Sequence, residues 1–165
     1  MDQIESQANL VENHVFPTSN GIYQFSTDVL LSEITNLNDY EISAISTIIL
    51  INGDFTIDRN INSIGNNHTI FIVKKNVLVD PNVTNINGFY IIEGIFDSDP
   101  NTISINQLLV NGSVIAIEGI NFNRFVSDET PGEKFVWRSE YLLDQSLMTL
   151  LLGKKYNHTW QEISY

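Results

Sequence analysis

A chain of 165 residues that is 42% hydrophobic, 17% charged and free of cysteine has the material for one ordinary core. That composition excludes intrinsic disorder, disulfide staples, thiolate zinc sites and cysteine nucleophiles. Eight basic residues against twenty acidic ones give a net charge of -12, which repels phosphate backbones and anionic lipid, so neither nucleic acid nor direct membrane insertion is expected.

Residues 1–15 are polar with scattered apolar positions (Ile4, Ala8, Leu10, Val11) and read as an arm or frayed helix. Met1-Asp2-Gln3-Ile4-Glu5 lacks the basic and apolar stretches of a signal peptide. From Phe16 to residue 126 the text becomes β-rich, with short apolar runs at 22–25, 48–51, 55–57, 70–73, 77–79, 89–92, 108–110 and 114–117. Each is strand length and dominated by β-branched residues. Polarity comes from Asn, Ser and Thr rather than from the long charged residues of surface helices.

Four turn-forming pairs punctuate these runs: Asn20-Gly21, Asn52-Gly53, Asn87-Gly88 and Asn111-Gly112. Taken singly they suggest antiparallel hairpins. Recurrence argues otherwise. Residues 49–57 resemble 108–116, residues 90–96 resemble both, and Gly94 and Gly112 stand 18 apart. Such spacings are what coils of a β-solenoid produce, each stacking its apolar side chains on the next. The expected fold is therefore mainly β, a short solenoid or a two-sheet structure.

The last segment, 127–165, opens with a polar loop containing Pro131-Gly132, then Phe135-Val136-Trp137. Ser139 is a plausible N-cap for a helix over 140–152, with Gly153 as terminator and Lys154 and Lys155 beyond it. Tyr141, Leu142, Leu143, Leu147, Met148, Leu150, Leu151 and Leu152 give this helix a broad apolar stripe. It should cover an open end or face of the β part. Residues 156–165 read as a closing strand with Trp160 and Ile163 inward.

From about Thr47 onward the chain resembles a solenoid-like domain of large surface proteins of candidate-phylum bacteria, some of them associated with adhesins or pili. The carriers are residues 47–57, 80–90 and 106–113 and the ending Trp160-Gln161-Glu162. The resemblance implies an extracellular or cell-surface setting and transfers no active-site residue. Bactofilin-type polymer-forming proteins are similar only in their short apolar repeats with glycine turns. Neither comparison reaches the first 46 residues.

Candidate sites are few. His14, His68 and His158 stand far apart, outside any paired metal-ligand spacing, and are better explained by turn or surface positions. Asn67, Asn82, Asn111 and Asn157 begin glycosylation sequons, as chance produces in an Asn-rich chain. Asp97, Asp99 and Asn101 offer oxygens at alternate positions, as at the start of a calcium loop. Thr102 and Leu108 occupy the places where an EF-hand needs Gly and Glu, and an Asx-rich turn is the competing reading. Asp54, Thr56 and Asp58 share one side of a strand and should face solvent.

No nucleophile elbow, phosphate loop or dinucleotide fingerprint occurs. The aromatics Tyr23, Phe25, Phe89, Tyr90, Phe96, Phe122, Phe125, Trp137 and Trp160 could stack on sugars, but more simply fill a core or cap sheet ends. The expected function is non-enzymatic: a cell-surface structural or adhesion module that works through protein assembly, by itself or with flanking domains of a longer chain. A carbohydrate-binding or carbohydrate-active β-helix and a bactofilin-like polymer former are the alternatives.

Overall fold

The computed structural model describes residues 2–11, 15–16, 19–34, 41–42, 46–63 and 68–152. The chain winds as a β-solenoid whose strand ladders are all parallel. On the first face lie β1 (Asn9–Leu10), β2 (Gly21–Phe25), β5 (Thr47–Ile51), β8 (Thr69–Val73), β10 (Asn85–Ile92), β12 (Leu108–Ala116) and β14 (Glu133–Val136), paired in that order. The second face carries β3 (Val29–Leu30), β6 (Phe55–Ile57), β9 (Val77–Val79), β11 (Ile95–Asp97) and β13 (Gly119–Asn121). A third, shorter ladder of β4 (Glu41–Ile42) and β7 (Asn62–Ser63) is continued by the start of β10, where the Ile61 N–H donates to the Asn85 carbonyl at 2.9 Å.

Asn-Gly pairs therefore do not close hairpins; they turn corners. Asn87-Gly88 stacks on Asn111-Gly112 where β10 and β12 swing from the third face into the first. Gly88 and Gly112 have φ of 146° and 143°, a region that a side chain makes strained. A Cβ on Gly112 would also collide with the Gly88 carbonyl oxygen. Asn52-Gly53 sits at a different corner, between the first face and the second, where Asn52 N donates to Phe25 O.

The apparent 18-residue repeat is not a coil either. Gly94 hydrogen-bonds to Lys75 and Glu118 to Gly94, whereas Gly112 pairs with Gly88. One coil advances 26 residues from Gly21 to Thr47, 22 from Thr47 to Thr69, 19 from Ile70 to Phe89 and 24 from Phe89 to Ser113. Loops at the corners absorb the difference while the strands keep register.

Inside the coil a single column of apolar side chains fills the interior. Phe55, Phe71 and Tyr90 stack ring on ring at 5.2 and 5.1 Å, and Ile51, Val73 and Ile92 form a neighbouring ladder. Tyr90 reaches its own Asn87 carbonyl with its hydroxyl, and full burial pushes its pKa well up. Thr47 and Thr69, buried one above the other, bond hydroxyl to hydroxyl at 3.2 Å.

Strands β5 and β8 are buried on both sides, so something must cover the outer face of the sheet. The cover is α3 (Gln145–Leu152), with α2 (Glu140–Leu143) and α1 (Asp2–Glu5). Tyr141 and Leu147 lie in one buried cluster with Ile22, Ile48, Leu50, Ile70 and Ile72, and Ile4, Ala8, Leu150 and Leu151 pack against it.

The helix expected over 140–152 is thus two helices on a flank, broken at Asp144, whose ψ of 106° is extended. Ser139 makes no side-chain cap; the Asp144 carboxylate does, accepting the N–H groups of Ser146 and Leu147 at 2.8 and 3.1 Å. Gly153, Lys154, Lys155 and the expected closing strand at 156–165 lie outside the described residues. So do His14, His158, Asn67 and Asn157. Phe135 and Val136, which follow the polar loop in the 127–165 segment, belong to β14 and continue the sheet past residue 126.

Candidate functional site: the open end of the coil

Polar side chains are used mainly to join coils at their corners. The Asp28 carboxylate accepts Asp54 N, the Asp54 carboxylate accepts Asn76 N and Nδ2, and the Asn76 amide oxygen accepts Ile95 N, a ladder of 2.9 to 3.1 Å steps up one edge. The first of these backbone bonds, with Lys75 nearby, holds the Asp28 carboxyl below its usual range. Asp58 accepts Ser32 N at 2.9 Å, and Asn60 accepts Thr84 N and Asn85 N at 2.8 and 3.0 Å. Asp54, Thr56 and Asp58 do lie on the outward side of β6, half-buried, while Phe55 and Ile57 point into the core.

Asp97, the last residue of β11, and Asp99, in the turn that follows, are brought together and buried. Asp97 accepts Asp99 N, Asn123 Nδ2 and Asn121 Nδ2 at 3.0, 3.0 and 3.3 Å; Asp99 accepts Asn101 N and Ser104 N at 3.2 and 2.6 Å. These are the contacts of an Asx turn that knits one coil to the next. Asn101 itself is exposed. Among the described residues no three His, Asp or Glu side chains form a group able to hold a metal ion.

Of two further polar centres, Arg124 was not singled out in the sequence, and His68, expected at a turn or surface position, is instead buried at 8% exposed. Arg124, only 5% exposed, donates from Nε to the Ser98 carbonyl, from Nη1 to Val83 and Asn106, and from Nη2 to Asp80. Burial pushes its pKa down while Asp99, Glu133 and Asp80 pull it up. Its backbone N–H and the Ser98 hydroxyl both donate to Glu133.

His68 is the second. Its Nδ1 meets Asp144 Oδ2 at 2.6 Å, the same oxygen that accepts the Ser46 hydroxyl at 2.6 Å, and its ring lies 4.9 Å from Tyr141. Serine and histidine here both address the carboxylate rather than each other, so the group latches a helix instead of activating a nucleophile. A lone Ser, His and Asp, 22 and 76 residues apart, leave no signal in a sequence.

The latch makes the flank helices acid-sensitive. Burial raises the Asp144 pKa, but the Ser46 hydroxyl, His68 and the Leu147 and Ser146 N–H groups outweigh it and hold the carboxyl below its ordinary 3.8. A depressed carboxylate contributes stability that is present above the unfolded pKa and lost as pH falls through the folded one. The melting-temperature gap between the native chain and Asp144→Ala is therefore expected to be widest near neutrality, corresponding to about 1–2 kcal/mol, and to close below about pH 4. A gap that does not change between pH 7 and pH 3 would contradict this latch.

Apart from Leu10 and Val15 in the first coil and Ile103 and Ile105 in the loop after β11, the exposed large apolar side chains among the described residues lie in the last coil. In the last coil β14 pairs only with the first half of β12, so the second half of β12 and all of β13 have no further strand beside them among the described residues. The core column ends there too: above Tyr90 comes Val114, above Phe96 comes Ile120, and above Val110 comes Phe135. Ile115, Ile117, Ile120, Phe122, Phe125, Phe135 and Trp137 are each between 38% and 72% exposed, and Phe122 meets Phe135 edge to face at 5.6 Å. Of the aromatics considered for stacking, Phe25, Tyr90 and Phe96 are core, Tyr23 and Phe89 are half-buried, and Trp160 lies outside the described residues.

Beside this end an open groove of about 500 Å³ is lined by Lys74, Lys75, Asn76, Glu93, Gly94, Ile117 and Glu118. Lys74 bridges Glu5 and Glu93 at 2.9 and 3.0 Å, which raises its pKa. Among the described residues no helix is long and apolar enough to cross a membrane. Compared with protein-family models, curated proteins and solved structures, the chain matches none.

Proposed function

We propose that this chain is a non-enzymatic structural module that works by docking, and that its open end is the docking surface. The observation that carries this reading is the end of the core column, where unpaired strand edges coincide with exposed Ile120, Phe122 and Phe135. Unpaired parallel edges are templates for a further strand, and an exposed apolar patch of this breadth marks an interaction site. The acidic remainder of the surface keeps the molecule from associating elsewhere.

The setting proposed is the cell surface, as an adhesion or scaffold module within a larger assembly. The corner carboxylates support a non-enzymatic role, because Asp54, Asp58, Asp97 and Asp99 serve as acceptors that join coils. In native cells the protein should fractionate with high-mass envelope material, and Ile120→Lys should release it while leaving the melting temperature within a few degrees. Recovery of the native protein as a free cytoplasmic species would refute the reading. Glycan-array binding lost on changing Phe122, Phe125 or Trp137 would instead favour a carbohydrate-binding role for the same end.

A further inference from the structure

The geometry points to Asn20-Gly21 as a site of spontaneous covalent modification, where the Asn20 amide converts to an acid and loosens the latch on the flank helices. The four Asn-Gly pairs are alike in sequence. In each, the glycine nitrogen can attack the asparagine Cγ, because glycine has no Cβ to hinder the approach. The N–Cγ bond forms, the Cγ–Nδ2 bond breaks, and ammonia leaves a five-membered succinimide ring. Water then opens the ring at either carbonyl, to aspartate or to isoaspartate, so that one water is taken up for each ammonia released.

The fold sets the four pairs apart. Asn87 and Asn111 lie within β10 and β12 and donate from Nδ2 to the Ile61 carbonyl and to Asn85 Oδ1 at 2.6 and 2.8 Å, which holds the leaving nitrogen in place. Gly112 packs against the Gly88 backbone, and Gly88 against the Phe71 and Tyr90 rings. Asn52 is tied by its N–H to the Phe25 carbonyl at 3.0 Å, and Gly53 is wedged against the Asp28 backbone. None of these three can bring nitrogen to Cγ without opening a corner.

Asn20 is exposed, in the bend that precedes β2, and Gly21 faces the side chain of Tyr23 rather than backbone. Its Oδ1 accepts the Ser46 N–H at 3.0 Å. Negative charge gathers on that oxygen when Cγ is attacked, so the Ser46 N–H stands where it favours the attack. Ser46 also carries the consequence, because its hydroxyl donates to Asp144 at 2.6 Å. Isoaspartate lengthens the main chain by one methylene and displaces the acceptor of the Ser46 N–H. Either product brings a second carboxylate to the residue that already holds Asp144.

The purified full chain, incubated in mildly alkaline buffer and followed by peptide mapping with mass spectrometry, should convert at Asn20 about tenfold faster than at Asn52, Asn87 or Asn111, which must first open locally. In urea the four rates should converge. Amide exchange across α3 should quicken in the aged native chain but not in aged Asn20→Gln, whose longer side chain keeps the acceptor oxygen and closes a ring far more slowly. An Asn20 that stays an amide, four equal rates in the folded chain, or one of the other three reacting first overturns the site. Conversion at Asn20 with α3 exchange unchanged, or quickened equally in Asn20→Gln, overturns its coupling to the latch.

Discussion

Replacing Arg124 by Met is expected to lower stability by about 3–5 kcal/mol, the cost of removing one partner from a buried, charge-assisted network. The side chain joins three successive coils, reaching the carbonyls of Asp80 and Val83 in one, Ser98 and Asn106 in the next, from its own position in the last. Methionine fills much of the volume but leaves those carbonyls with fewer donors in a space from which water is excluded. It also leaves Asp99, which is fully buried, without its nearby cation. Arg124→Lys should recover less than half of the loss, because one ammonium cannot reproduce a planar fork directed at several oxygens. Urea unfolding is the direct measurement. A shift in midpoint worth less than about 1 kcal/mol at unchanged slope would show that the coils do not depend on this staple.

Leu147→Asp should be the second large effect, and of a different kind. Leu147 is fully buried against the outer face of the first sheet, and its burial contributes about 1.5–3 kcal/mol. A carboxylate at that point cannot be ionised among Ile48, Leu50, Ile70 and Ile72 at tolerable cost. The helix is expected to leave the sheet rather than carry the charge inward, so the loss saturates at the docking energy of α3, about 3–4 kcal/mol. Amide exchange should then accelerate across α3 and on β5 and β8, with the interior column from Phe55 to Tyr90 still protected. Leu147→Met, which conserves volume, should cost less than about 1.5 kcal/mol. An unchanged melting temperature for the Asp variant would exclude the packing described here.

Both effects depend on features with unequal traces in the sequence. The runs that became β5 and β8 were legible as strands because five consecutive buried residues, Thr47–Ile51 and Thr69–Val73, are β-branched or large apolar residues with no polar face. The breadth of the apolar stripe over 140–152 likewise required a covering role for the helix, since a helix with so little polar surface cannot stand in water. The outward direction of Asp54, Thr56 and Asp58 followed from strict alternation with Phe55 and Ile57.

Register did not follow, and the reason is physical. Identical Asn-Gly pairs serve two different corners, and the coil length varies from 19 to 26 residues, so no fixed period can align one coil with the next. The pairing is set by which side chains stack inside, Phe71 under Tyr90 and Ile51 under Val73, and stacking is a property of the closed coil.

The break at Asp144 was hidden for a similar reason. Local propensity runs unbroken from Glu140 to Leu152, and the bonds that make the break worthwhile come from Ser46 and His68, 98 and 76 residues away. Residue types and alternation thus decided that this chain would form short stacked strands under a helical cover. Which carboxylates join coils, where Arg124 finds its carbonyls, and which end of the core stays open were decided only when the coils closed on one another, because each depends on contacts between segments that the linear order keeps apart.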